Sequence, residues 1–144
     1  MKRQNTRLES EGAEFLVLGH LLIFGIPAYK NYTNMPDYDL VATSSGKKTF
    51  ARISVKSRWT TTATGFIISK FDCDFVILVK LNRGSKDGKK EVRSPEYFVF
   101  PVNVIKNVPR SKKFNRISFG HIPKFQTYKD RWDLITTFLN KRTK

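Results

Sequence analysis

The sequence is poor in the side chains that form disulfides and structural zinc sites. Its 144 residues include one cysteine, Cys73, and two histidines, His20 and His121. A single cysteine excludes an intramolecular disulfide, and so few soft ligands do not make a structural zinc site. This composition is typical of a protein from a reducing compartment, and we expect the protein in the cytoplasm.

The chain also lacks a long apolar run. The longest stretch, over residues 15–28, is interrupted by His20 and by glycines. About 20 apolar residues are needed to cross a bilayer, so we predict a buried helix and no membrane span. Glu9, Glu11 and Glu14 stand where a secretion signal carries positive charge, which argues against a signal peptide.

Acidic residues are scarce. There are 12 Asp and Glu against 27 Lys and Arg, which gives a net charge of +15. Such an excess repels itself in the folded state and indicates a polyanionic partner. An anionic membrane surface is the alternative, but the charge favours nucleic acid, and DNA first. With 12 Phe and 2 Trp the chain is too rich in aromatic residues to be disordered.

The length fits a single domain over 1–144, with residues 1–7 as a flexible start. Ser10 is a suitable cap for a first helix, whose apolar face is predicted to contain Phe15, Leu18, Leu22 and Ile23. Apolar segments bounded by turn residues predict strands over 28–32, 39–43, 49–57, 66–69, 75–81 and 96–102.

A final helix is predicted over 127–140, with Trp132, Ile135, Phe138 and Leu139 on its core face. The second and third strands are separated by the turn residues 44–48, which predicts a hairpin. The order of helix, strands and helix predicts an α/β or α+β domain with a central mixed β-sheet.

The predicted hairpin brings rare polar groups together. A hairpin places the start of one strand beside the end of the next, and residues two apart on a strand share a face. We therefore expect Asp39, Ser54 and Lys56 at one side of the sheet, with the helix of Glu14 beside them. Hydrolysis of a phosphodiester needs a divalent cation held by carboxylates and benefits from a lysine that orients water or stabilises charge.

These residues resemble the PD-(D/E)XK nuclease superfamily, which includes many restriction endonucleases and the archaeal Holliday-junction resolvases. The likeness rests on Glu14 and on the runs 36–40 (PDYDL) and 53–57 (ISVKS), and it covers about residues 10–60. It implies a restriction-endonuclease-like core and a DNA endonuclease of restriction, repair or recombination that uses Mg²⁺ or Mn²⁺.

The resemblance also implies roles for single residues. Asp39 would bind the metal, Glu14 would support the metal or a water, and Lys56 would be the catalytic lysine, with Asp37 as the alternative metal ligand. The chain departs from the family at Ser54, where Glu, Asp or Gln is usual, because a serine cannot supply a second carboxylate from the strand.

The departure at Ser54 leaves two alternatives beside the DNA endonuclease. One is a nucleic-acid-binding protein of the same fold that has lost catalysis, and the other is an RNA-directed nuclease or toxin domain. Family members of this size often work as dimers, so a homodimer is a further expectation that the resemblance implies.

Basic residues outside this group are candidates for binding nucleic acid. Arg52 shares a strand face with Lys56, and Ser57 and Arg58 follow directly, so all three could meet phosphate. Three loop clusters have the charge to contact backbone phosphates, although solvated loops have the same composition; they are Lys47 with Lys48, Lys86 with Lys89 and Lys90, and Arg110 with Lys112 and Lys113.

Overall fold

The structure, a computed structural model, describes residues 6–32 and 38–141. In these ranges the elements are, in chain order, α1 (Thr6–Ile23), β1 (Ala28–Lys30), β2 (Leu40–Thr43), β3 (Phe50–Arg58), β4 (Gly65–Ile67), β5 (Phe75–Lys80), β6 (Glu96–Pro101), α2 (Val102–Lys106), β7 (Arg116–Ser118) and α3 (Asp133–Lys141). Single 3₁₀ turns follow β7 and precede α3.

The main sheet has five strands in the order β1-β2-β3-β5-β6. Strands β3 and β5 are parallel and the other neighbours are antiparallel. The sheet is therefore mixed, and the predicted α/β fold with a helix near each end of the chain is confirmed. Strands β4 and β7 form a separate two-stranded antiparallel sheet.

Each face of the main sheet buries its own apolar cluster. On one face, α1 and α3 cover the strands through Ala13, Val17, Leu21, Ile135 and Leu139. On the other face, the side chains come from β4, α2, β7 and the inner strands. The small sheet therefore packs on the face of the main sheet opposite α1 and α3.

The prediction for the buried face of α1 is wrong. The helix begins at Thr6 rather than Ser10, and its fully buried residues are Ala13, Val17 and Leu21, which follow a four-residue spacing. Phe15 is 52% exposed because it lies two positions after Ala13, about 200° around the helix axis.

Two further members of the predicted face, Leu22 and Ile23, are also exposed, at 52% and 88%, whereas Leu18 packs against the core. The apolar run therefore forms a helix that buries one stripe. None of the helices within residues 6–32 and 38–141 combines the length and apolarity that a bilayer span requires.

The C-terminal part of the chain differs from the prediction in its boundaries. The predicted core face of the last helix is confirmed, since Trp132, Ile135 and Leu139 are buried and Phe138 packs against them. The helix itself begins at Asp133, because the preceding residues form a 3₁₀ turn and a short extended segment. Helix α2 and strand β7 were not predicted, since both are short.

Candidate active site

A cavity of about 520 Å³ lies where α1 meets the open end of the β2–β3 hairpin. Its lining includes three of the predicted catalytic residues, Glu14, Asp39 and Lys56. The other lining residues are Thr6, Glu9, Ser10, Val55, Ser57, Arg58, Phe66 and Ile67. The structure therefore brings together two carboxylates and an amine that are up to 42 positions apart in sequence.

Asp39 is attached to β3 at both its backbone and its side chain. Its backbone N–H donates to the Ile53 carbonyl at 2.8 Å, and its Oδ2 accepts the Val55 N–H at 2.7 Å. The carboxylate thus takes the place of a strand carbonyl just before β2 begins. Burial raises the pKa of Asp39, while the Val55 N–H and the charge of Lys56 oppose that shift.

Glu14 reaches the cavity because its neighbour Ala13 belongs to the buried stripe of α1. Burial raises the pKa of the Glu14 carboxyl, and the negative charge of Asp39 raises it further. The two carboxylates are therefore close enough for the charge of Asp39 to disfavour ionisation of Glu14. The charge of Lys30 acts in the opposite direction and favours the ionised form of Glu14.

Lys30, the last residue of β1, does not line the cavity but pairs with Glu14, which does, and the sequence did not predict this contact. Its side chain is 4% exposed and its ammonium lies 3.4 Å from Oε1 of Glu14. The same ammonium pairs with Glu11 and lies 4.3 Å from the centroid of the Phe15 ring. Burial alone would lower the pKa of Lys30, but these two acids outweigh it and the pKa is raised.

A weak signal for Lys30 existed in the sequence. Ala28 and Lys30 share one face of β1 while Tyr29 points to the other, and Tyr29 is 51% exposed. A lysine on the inner face of a short strand needs a carboxylate partner. Three acids on the preceding helix, Glu9, Glu11 and Glu14, could have supplied it.

Ser54 is not among the residues that line the cavity. It is 3% exposed and pairs in register with Val76, which belongs to the apolar cluster on the face opposite α1. The structure therefore does not place Ser54 at the cavity that Glu14, Asp39 and Lys56 line.

Ser57 and Arg58 line the cavity beside Lys56. The guanidinium of Arg58 donates through Nη1 to the carbonyl of Gly65 at 2.6 Å. Arg58 thus ties the end of β3 to the start of β4, and it holds the small sheet against one wall of the cavity.

The remaining basic candidates lie away from the cavity. Arg52 is paired with Asp72, at 2.8 Å, and with Asp74. Lys47 and Lys48 are exposed in the β2–β3 turn, at the end of the hairpin opposite Asp39.

Arg110, Lys112 and Lys113 are exposed in the segment between α2 and β7. The alternative ligand Asp37 lies outside the described residues.

The donor chemistry of the cavity fits a divalent cation. Mg²⁺ is usually held by one or two carboxylates together with waters and phosphate oxygens, and Glu14 and Asp39 provide two carboxylates on one cavity. Within residues 6–32 and 38–141, no group of three or more His, Cys, Asp or Glu side chains is arranged to hold a metal ion. A cation here would therefore depend on water and phosphate for its other ligands.

The mixed sheet with α1 on one face is a fold that the chain shares with two solved nuclease structures, and the predicted resemblance is confirmed at the level of the fold. The chain is similar to a bacterial homing endonuclease, I-Ssp6803I, with a TM-score of 0.63 and 21% identity over 97% of this chain and 100% of that one.

It is also similar to the Holliday junction resolvase Hjc of the archaeal hyperthermophile Archaeoglobus fulgidus, with a TM-score of 0.51 and 18% identity over 80% of this chain and 88% of that one. No protein-family model and no curated protein sequence matches the chain.

Proposed function

We propose that the protein is a metal-dependent endonuclease that hydrolyses DNA phosphodiester bonds with Mg²⁺ or Mn²⁺. The observation that carries this proposal is the meeting of Glu14, Asp39 and Lys56 around one cavity in a protein with a net charge of +15. Both structural neighbours named above are nucleases, which supports the same class of reaction.

Each residue has a distinct task in the proposed reaction. Asp39 and Glu14 would hold the cation, which when bound would neutralise phosphate oxygens and acidify the attacking water. Asp39 is kept in place by the Val55 N–H, and Glu14 by Lys30. Lys56 would place its ammonium against the phosphate and stabilise the charge that develops in the transition state.

Cleavage of supercoiled plasmid, a four-way DNA junction and a folded RNA with Mg²⁺ or Mn²⁺ tests the proposal. We expect the wild type to cut DNA, and we expect Lys56→Ala to lower the rate by about 10²–10⁴-fold. Asp39→Asn keeps the acceptor for Val55 but removes the charge, and should abolish metal-dependent cutting. Ser54→Ala is the matched control on the same strand and should cut close to the wild-type rate, because Ser54 does not line the cavity.

A binding protein without catalysis is the second candidate, favoured by the buried Ser54 and the absence of a three-ligand group in the described residues. Titration of Mn²⁺ in the presence of DNA separates the two candidates. In calorimetry, Mn²⁺ binding by the wild type that is lost in Asp39→Asn supports the enzyme. Equal binding heats for the wild type and Asp39→Asn, together with no cutting by the wild type above the level of Lys56→Ala, support the binding protein. Preferential cutting of the RNA would move the substrate from DNA to RNA.

A further inference from the structure

A second cavity, of about 300 Å³, lies beside β7 and is lined by Pro109, Arg110, Ser111, Arg116, Ser118 and His121. We propose that this cavity binds a phosphate of the nucleic-acid backbone, away from the phosphate that is cleaved. The identity of the ligand rests on the proposed function, but the binding site itself does not require catalysis.

The charge of the second cavity is unbalanced. Two arginines and a histidine line it, and no carboxylate does. Within residues 6–32 and 38–141, neither Arg110 nor Arg116 forms a salt bridge. By contrast, Arg52 and Arg131 are both paired with aspartates. Two uncompensated guanidinium groups at one concave site favour an anion.

Arg116 is held in position by neutral groups. Its Nη1 donates to Oγ of Ser118 at 2.9 Å and its Nη2 donates to Oγ1 of Thr64 at 2.7 Å. These hydroxyls orient the guanidinium without cancelling its charge. These two bonds use two of its five N–H donors.

Gly65 makes room for this arrangement. A Cβ atom at position 65 would lie 2.7 Å from Cζ of Arg116 and 2.3 Å from the Ile117 carbonyl oxygen. The guanidinium therefore packs across the backbone of β4, where a larger residue would displace it.

Arg110 reaches the same cavity through a tight loop. The N–H of Ser111 donates to the carbonyl of Arg116 at 3.0 Å, and the N–H of Asn115 donates to the carbonyl of Ser111 at 2.8 Å. This closes the loop so that its two ends, and with them the two arginines, lie side by side. The guanidinium of Arg110 lies 4.6 Å from the centroid of the Phe71 ring, and stacking of this kind leaves its N–H edge free to bind.

The position of the second cavity points to a nucleic-acid strand as the source of the phosphate. Phe66 and Ile67 of β4 line the catalytic cavity, and Arg116 of β7 pairs in register with Ile67. Adjacent strands lie about 4.8 Å apart, so both cavities border the same small sheet. A strand whose cleaved phosphate occupies the first cavity can continue across this sheet and place a second phosphate in the second cavity.

Duplex binding tests the proposal without cleavage. The affinity for a labelled 20-base-pair duplex is measured by fluorescence anisotropy in EDTA at a series of KCl concentrations. The slope of log affinity against log salt is negative, and each lost phosphate contact should reduce its magnitude by about 0.9 for duplex DNA, which is roughly eightfold in affinity near 0.1 M salt. We expect this loss for Arg110→Gln and for Arg116→Gln. Lys141→Gln, which removes the same charge from the exposed end of α3, should leave the slope unchanged.

The variants keep the test decisive if one of them fails to fold. Arg110 is exposed, so Arg110→Gln should retain the wild-type circular dichroism, and its slope alone decides the outcome. A slope equal to that of Lys141→Gln overturns the proposal. Stabilisation of the wild type by inorganic phosphate, with unchanged duplex slopes in the variants, also overturns it, because the cavity would then bind a free anion only.

This outcome is separate from that of the proposed function. If the wild type cuts nothing with Mn²⁺ but the arginine variants show the expected weaker salt dependence, the second cavity belongs to a binding protein. If the wild type cuts DNA but the variants keep the wild-type salt dependence, the nuclease proposal holds and the second cavity does not bind the backbone.

Discussion

At the scale of single residues, Asp39 is better suited to binding a cation than to stabilising the fold. Its carboxylate is partly buried beside a second acid, and burial raises its pKa above the ordinary value of 3.8. A group that binds its proton more tightly in the folded state makes the fold less stable as the pH rises from 3.8 through that raised pKa. The ionised form therefore carries a cost at neutral pH.

Asp39→Asn should accordingly raise the unfolding temperature of the metal-free protein at pH 7. Asparagine keeps an oxygen that accepts the Val55 N–H and removes the buried charge. The gain should shrink as the pH falls from the raised pKa towards 3.8, because Asp39 is then increasingly neutral in the folded protein, and it should vanish below 3.8, where Asp39 is neutral in both states. Thermal unfolding in EDTA between pH 4 and 8 measures this difference, and a variant that is less stable than the wild type at pH 7 would contradict it.

The residues of the cavity at the open end of the hairpin could be predicted in part because they follow strand and hairpin rules. Asp39 and Lys56 occupy positions that any β-hairpin would bring together, and Glu14 stands at a place where the helix must meet that hairpin. Lys30 could not be predicted with the same ease, since its burial depends on acids that belong to another element. The pleat rule also placed Ser54 on the face of Lys56, but the cavity opens only at the end of the strand.

At the scale of elements, apolar composition predicted where α1 lies but not which side of it is buried. Apart from His20, the run from Phe15 to Ile23 has no polar side chain, so the sequence contains no polar stripe to mark the exposed face. Strand β7 was not predicted because it has three residues and is stabilised by pairing with β4, far away in the chain. Longer strands were predicted within one residue, β3 from its alternation and β5 from its continuous apolar run.

The small sheet depends on Gly65, which gives a test at this scale. Gly65→Ala would place a methyl group 2.3 Å from the Ile117 carbonyl oxygen, and backbone at that distance has to move. We expect a loss of about 1–3 kcal/mol in the free energy of unfolding, together with a weaker bond from Arg58 to the residue 65 carbonyl.

Gly120→Ala is the matched control for this substitution. A Cβ at position 120 meets no atom within 4 Å, and the residue lies just after β7. Urea denaturation of both variants measures the difference. Equal free energies of unfolding for Gly65→Ala and Gly120→Ala would contradict the role of Gly65 in the close packing of β4 against β7.

At the scale of the whole molecule, the net charge of +15 predicts how binding responds to salt. A protein that makes six to ten phosphate contacts loses about 10³–10⁵-fold in duplex affinity between 50 and 200 mM salt. We expect the wild type to fall in this range, measured by anisotropy with a labelled duplex in EDTA.

Vesicles of anionic lipid, with a density of negative charge equal to that of the duplex, are the control for non-specific attraction. They should bind more weakly than the duplex at every salt concentration, because the two cavities would each hold one backbone phosphate under the functions proposed above, in addition to the general attraction of charge. Tighter binding to vesicles than to duplex would contradict the assignment of nucleic acid as the partner.

The buried ammonium of Lys30 has a consequence for the protein before any substrate arrives. Crowded acids commonly repel one another until an ion from solution neutralises them, and some small proteins cannot fold without that ion. Here the chain carries its own counter-ion among Glu11 and Glu14. Chelation should therefore stop the proposed cleavage while leaving the fold intact, so that folding does not depend on the metal.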